Sequence, residues 1–399
     1  MAAITTNAII PVHLHIFEDI MQNFDICAKE AQSHMPIRGV WHRPNIGKNE
    51  TNLEQLCQVI DRFSRAGINT VFLETFYHGK AVFKTEKVPY HTGLSEYSYG
   101  AYPDYLTAFV TEADKRGIKV HAWVQDFYVG FLEDFEFVVN HQSWLLINQQ
   151  GGIRHTTEGQ GFGGYIFLDP ANTEVRAFLV DLYDELLTRF PLICGINLDY
   201  IRYPISEFDQ DTDTGYTECC MNAFAKQQGL TLDPARKRED LVEQIKEKDL
   251  LAQWTAHRAY YITQFVSAVY EMIHAKHPDK ITSTAVFSEL NAAYTMKKQT
   301  IRVWLEKKYI DMVTPMVYFY DTDKVFHAVK ELKAMCNGIH CHTGLYTTYH
   351  DQTVSELAEH IDASDRAGAE GFVLFDSNKT FFAAEENYED FLAERYGRA

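Results

Sequence analysis

Residues 66–74 read AGINTVFLE and residues 116–123 read RGIKVHAW. In each stretch a glycine, Gly67 or Gly117, separates a helix-like segment from a run of β-branched and aromatic residues. Glycine ends helices because the left-handed conformation there costs it no Cβ clash. The two stretches thus predict one unit used twice: a helix, a glycine stop, then a strand. Working outward, short strands are expected at Arg38–His42, Asn69–Phe76, Lys119–Asp126, Gly195–Asp199, Ile281–Phe287, Met312–Tyr320, His342–Thr347 and Gly371–Asp376. Between them lie segments with one apolar stripe, such as Leu53, Leu56, Ile60 and Phe63, or Val175, Phe178, Leu179, Leu182 and Leu186, or Val354, Leu357 and Ile361. Strands alternating with helices make a parallel sheet. Eight such units close into an α/β fold, the (β/α)8 TIM barrel. A doubly wound open sheet would want a glycine-rich phosphate turn after its first strand. GGIRHTTEGQGFGG (151–164) is not GxGxxG and does not open a helix.

Two domains of unequal weight are expected. Residues 1–37, with an apolar piece (Ala8–Ile16) and a helix (Glu18–Gln32), read as an N-terminal extension packing on the barrel of residues 38–399. Long loops follow strand three (127–170) and strand four (205–250). Both belong to the carboxyl-terminal face, where barrel active sites lie, and loops of such length are usually functional.

With 37 basic against 55 acidic side chains, the net charge is −18, which repels phosphate backbones and anionic lipid, so neither nucleic acid nor membrane is an expected partner. Seven scattered cysteines without zinc spacing read as reduced thiols. The amino terminus lacks a signal-like basic region and apolar run. A cytoplasmic location is therefore expected, or an extracellular one where a leader has been removed.

The polar residues at strand ends define the expected site. They include Trp41 and His42 after strand one, Glu74 and Tyr77 after strand two, and Trp123 and Asp126 after strand three. Asp199, Tyr200 and Arg202 follow strand four, Glu289 strand five, Tyr318 and Asp321 strand six, and Asp376 strand eight. Many carboxylates beside aromatic rings suit glycosidic cleavage, where two carboxyls flank the bond and rings stack on sugar faces. Asp199 leads: alternation puts it on the same side as Asn197, and Arg202 is the expected partner that keeps it ionised. Glu289 and Glu74 are the expected second carboxyls, with Asp126 and Asp321 behind them. Trp41, His42, Tyr77, Trp123, Asp126, Tyr200, Arg202, Tyr318, Asp321 and Asp376 are expected to contact substrate. Asp169 is expected to cap the helix Asn172–Phe190. The charge run Arg236–Lys248 reads as a solvated helix face.

RGVWHRP, GINTVFLETFYHGKAVF, RGIKVHAWVQDF, HQSWLL…FLDPANTEVRAFL and GINLDYIRYP, in that order from Arg38 to Pro204, resemble the glycosyl-hydrolase-10-like family of bacterial proteins. The likeness continues through DMVTPMVYFY and GFVLF. It implies a (β/α)8 barrel, glycoside hydrolase activity on cell-wall or other complex glycans, and site roles for Asp199 and Arg202. Related members are frequently exported.

The expected function is thus a glycoside hydrolase acting on an oligo- or polysaccharide by a two-carboxylate acid/base mechanism, with no cofactor and no metal. A non-catalytic glycan-binding barrel is the main alternative. A metal-dependent amidohydrolase, drawing on His13 with His15 and His340 with His342, is a lesser one.

Overall fold

The computed structural model describes residues 36–397 except 46, 134, 209–211, 348–351 and 383–386. The extension expected at the N-terminus, with its helix and with His13 and His15, lies outside the described residues up to residue 35.

Eight parallel strands form the central sheet. They are β1 (Ile37–His42), β2 (Thr70–Tyr77), β3 (Lys119–Gln125), β4 (Ile193–Asp199), β5 (Ile281–Phe287), β6 (Met312–Met316), β7 (Thr343–Tyr346) and β8 (Gly371–Phe375). The sheet closes at β1, where Val40 opposes Val71 of β2 on one side and Leu374 of β8 on the other. Closure leaves the main ring without an open edge. β6 stops at Met316, short of the expected Tyr320. Beyond it, Tyr318 packs its ring on Tyr346 (4.8 Å) and Phe375 (5.9 Å), so these aromatics face the mouth instead of extending the ladder.

Around the sheet lie helices α1 (Leu53–Arg65), α2 (Tyr105–Lys115), α3 (Thr173–Arg189), α4 (Glu218–Gln228), α5 (Lys237–Glu247) and α6 (Leu251–Lys276), followed by α7 (Leu290–Lys297), α8 (Ile301–Lys307), α9 (Thr322–Lys333), α10 (Val354–Arg366) and α11 (Tyr388–Tyr396). α1 shows the local logic. Asn52 caps it by accepting from the Gln55 amide, and Leu56, Val59, Ile60 and Phe63 face the sheet. It ends at Gly67, whose φ of +72° needs glycine. A Cβ there would also meet the Tyr396 carbonyl oxygen at 2.3 Å.

Alternate residues of the strands point inward, and Trp41, Phe72, Trp123, Ala285, Met312 and Val373 fill the barrel. Each fully buried large apolar side chain contributes about 1.5–3 kcal/mol against leaving it in water. Gly344 makes room for this layer, since a Cβ there would lie 3.0 Å from the Trp41 ring.

Both long loops are structured. The first carries a three-stranded antiparallel sheet of Tyr128–Gly130, Arg154–His155 and Tyr165–Phe167. The second carries α4 and α5, whose Cys220, Met221, Phe224, Leu241, Val242 and Ile245 pack with Trp254 into a separate apolar cluster. The expected solvated charge run thus also contributes a buried stripe. The ion pair Arg258–Asp213 (2.5 Å), fully buried, ties the second loop to α6. The six described cysteines are unpaired. No helix among the described residues is long and apolar enough to cross a membrane.

Candidate active site

Asp199 is the last residue of β4, and its half-buried carboxyl lies at the floor of the barrel mouth. Oδ2 accepts from Trp123 Nε1 (3.0 Å) and Oδ1 from the Tyr200 amide (2.7 Å). The second bond depends on Tyr200 taking a φ of +53°, a conformation a non-glycine residue adopts only when its surroundings hold it. Here the Tyr200 ring is stacked on Tyr128, 4.7 Å between centroids.

Arg202 is not the ion-pair partner of Asp199. Its guanidinium forks onto Glu158, Nη1 to Oε1 at 2.7 Å and Nη2 to Oε2 at 2.8 Å, and lies over the Tyr200 ring at 4.6 Å. Glu158 comes from the loop after β3, 44 residues before Arg202. Arg202 acts on Asp199 only at longer range. Burial pushes the Asp199 carboxyl above the ordinary aspartate value, and the two hydrogen bonds, Arg202 and Arg43 offset this only partly.

Glu74, near the end of β2, is fully buried beside Asp199. Arg43 grips both its oxygens, with Nη2 to Oε1 at 3.0 Å, and Gln125 donates to Oε1 at 2.7 Å. Burial, with the Asp199 charge added, raises the Glu74 carboxyl despite Arg43. Arg43 stands among the polar residues at the end of strand one, but no role was expected of it. Its signal was available, because alternation along WHR puts Arg43 on the same side as Trp41.

The other expected residues divide clearly. Trp41 donates to Asn197 (3.0 Å) in the barrel floor, and Tyr77 lies beneath the Arg43 guanidinium at 5.5 Å. Glu289 is exposed, just before α7. His42 is fully buried, with one ring nitrogen on Ser377 (2.7 Å) and the other on Glu50 (3.1 Å), so it offers no nitrogen to a ligand. Asp126 points outward to the helix layer, where Tyr183 of α3 donates to it at 2.7 Å; burial raises it far above the usual carboxylate range. Asp321 is the N-cap of α9, accepting from the Asp323 and Lys324 amides. Asp376 follows a cis peptide bond and accepts from the Lys379 amide (3.1 Å). Asn172, not Asp169, caps α3; Asp169 takes the Ala171 amide and reaches Thr217 and Cys219 of the next loop.

His340 pairs with Glu370, and among the described residues no group of three or more His, Cys, Asp or Glu is placed to hold a metal ion. A cleft of about 480 Å³ lies on the outer flank against α6, α7 and α8, but its lining contains no carboxylate. The carboxyls of Asp199 and Glu74 lie at the mouth instead.

A β-galactosidase from the psychrophilic Marinomonas ef1 superposes on 90% of this chain and 58% of its own with a TM-score of 0.61 at 12% identity. The catalytic domain of β-amylase from Paenibacillus polymyxa superposes on 90% of this chain and 98% of its own, TM-score 0.57, 10% identity. At such identities the likeness is one of fold. In sequence, the glycosyl hydrolase DigH of Escherichia coli O6:H1 is 24% identical over 328 residues, 73% of this chain and 67% of its own length. The profile of one family matches residues 36–363, most of the chain, with Glu74, Asp199 and Glu289 inside the match. The chain therefore belongs to the glycosyl hydrolase-like 10 family.

Proposed function

We propose that this protein is a glycoside hydrolase acting on an oligo- or polysaccharide, with Asp199 as the carboxyl that meets the glycosidic bond. The carrying observation is a partly buried carboxyl at the mouth of the barrel, held by Trp123 and the Tyr200 amide, whose value burial raises above the ordinary range. A carboxyl whose value is raised by burial is suited to general-acid work. Its proton goes to the leaving glycosidic oxygen. A water adds to the anomeric carbon and yields its proton to a second carboxylate.

Glu289 is the better second carboxylate. It is exposed, whereas Glu74 is covered and held on both oxygens. Glu74 then acts as a positioning residue, holding Arg43 and Gln125 around the mouth.

A glycan hydrolysis screen with Asp199→Asn as the blank tests the reading. Turnover should fall by about 10²–10⁴-fold in the variant, the usual worth of a positioned proton donor. Equal turnover by the variant would discard Asp199. Glu289→Ala should lose turnover and recover part of it with azide, a small nucleophile that fits the space left. A catalytically idle glycan-binding barrel is the second reading. It is favoured by the commitment of Glu74 and Glu158 to arginines and of Asp321 to a helix cap, and it predicts sugar bound and recovered intact.

A further inference from the structure

Lys297, the last residue of α7, is 7% exposed. Among the described residues its ammonium has no hydrogen bond and no ion pair. Its contact is the ring of Phe287, 3.8 Å from Nζ to the centroid. Phe287 ends β5 at the mouth, and Arg202 lies over the same ring at 5.3 Å. Two cations therefore flank one aromatic ring.

The charged neighbours of Lys297 are Arg202 and the adjacent Lys298, which repel it, and Glu158 and Glu289, which attract it; Lys298 is itself held by the Thr295 carbonyl (2.6 Å). Glu158 is already spent: Arg202 takes both its oxygens, and the Ile205 amide (2.7 Å) adds to one of them. Glu289 is exposed and beyond ion-pair distance. One positive charge is left over in a buried place, and a buried charge is costly unless something pairs with it. Phe287 offers only its ring face, which is a weak substitute for a hydrated or paired ammonium.

We propose that Lys297 is the specificity-determining cation of a substrate subsite at the mouth, and that it takes a carboxylate substituent on the bound sugar. This rests on the reading of the mouth as a glycan site, but not on hydrolysis. One surplus positive charge matches a monoanion. The Phe287 face beside it supplies the platform for the ring that carries the carboxylate. Burial and Arg202 lower the Lys297 ammonium to about 8, so the anion preference should be present at neutral pH and disappear above that value.

The test is calorimetric titration with methyl β-D-glucuronide, methyl β-D-glucoside and inorganic phosphate, at pH 7 and pH 9. The expected result is glucuronide at least about tenfold tighter than glucoside at pH 7, with the preference shrinking at pH 9. Lys297→Met should abolish the preference, and Lys297→Arg should keep it at pH 9, because guanidinium does not lose its proton there. The proposal is overturned if neither sugar binds, if both bind equally, if Lys297→Met keeps the preference, or if phosphate binds as tightly as glucuronide. Should Lys297→Met fail to fold, the wild-type pH profile and Lys297→Arg decide. Absence of turnover in the glycan screen would remove hydrolysis and leave this preference standing. Loss of the preference would do the converse.

Discussion

Asp199→Asn should separate catalysis from stability, and the structure gives the sign. Asp199 accepts two hydrogen bonds, from Trp123 Nε1 and the Tyr200 amide. Asparagine has one acceptor oxygen, so one donor loses its partner, at a cost of about 1–3 kcal/mol. Against this stands the titration of the wild-type carboxyl. Its folded value is raised, so the native state keeps a proton that the unfolded chain has released above about pH 3.9. That contribution is complete below the unfolded value and is lost as the pH climbs to the folded one, by about 1.4 kcal/mol per pH unit. Asparagine does not titrate. In the variant Glu74 is also relieved of the Asp199 charge, which adds to the same slope. Wild type should therefore be the more stable near pH 4.5, by up to about 1–3 kcal/mol, and its advantage should shrink or reverse toward pH 8. Urea unfolding of both proteins across that range measures it. A difference that stays flat, or grows with pH, would show an ordinary ionised aspartate and refute the argument.

Arg258→Met should lower stability by about 3–5 kcal/mol, because it strands the fully buried Asp213, and thermal unfolding should show it; Arg258→Met with Asp213→Leu should recover much of the loss. Asn172→Ala should cost about 1 kcal/mol in urea unfolding by removing the cap of α3. Asp169→Ala should cost more, since the buried Ala171 amide and Thr217 hydroxyl lose their acceptor, and the exposed Cys219 thiol loses it too.

The barrel was legible because its signals are local. Gly67 and Gly117 both have positive φ and both precede strands, as the two opening stretches require. Asp199 was legible for the same reason: inward alternation along β4 carries it to the mouth. Partner choice was not. Arg202 lies three residues from Asp199 but pairs with Glu158 from another loop, a contact no spacing encodes. Asp321 looks like a strand-end acid in sequence, yet it sits one residue before α9 and serves as its cap. Asp126 looks equivalent to Asp199, but the one-residue difference in phase turns it toward Tyr183, outside the barrel. Lys297 gave no signal, being a lysine in a helix until the fold buries it.

The bonds made by Asp169 bear on how the mouth can be altered. This one carboxylate closes the loop after β3 and holds Thr217 and Cys219 of the loop after β4. The two walls of the mouth are thus joined here, as they are where Glu158 meets Arg202 and the Ile205 amide. Transplanting either wall alone from a relative would leave half a joint, so exchanges of specificity between such barrels should move both loops as one cassette.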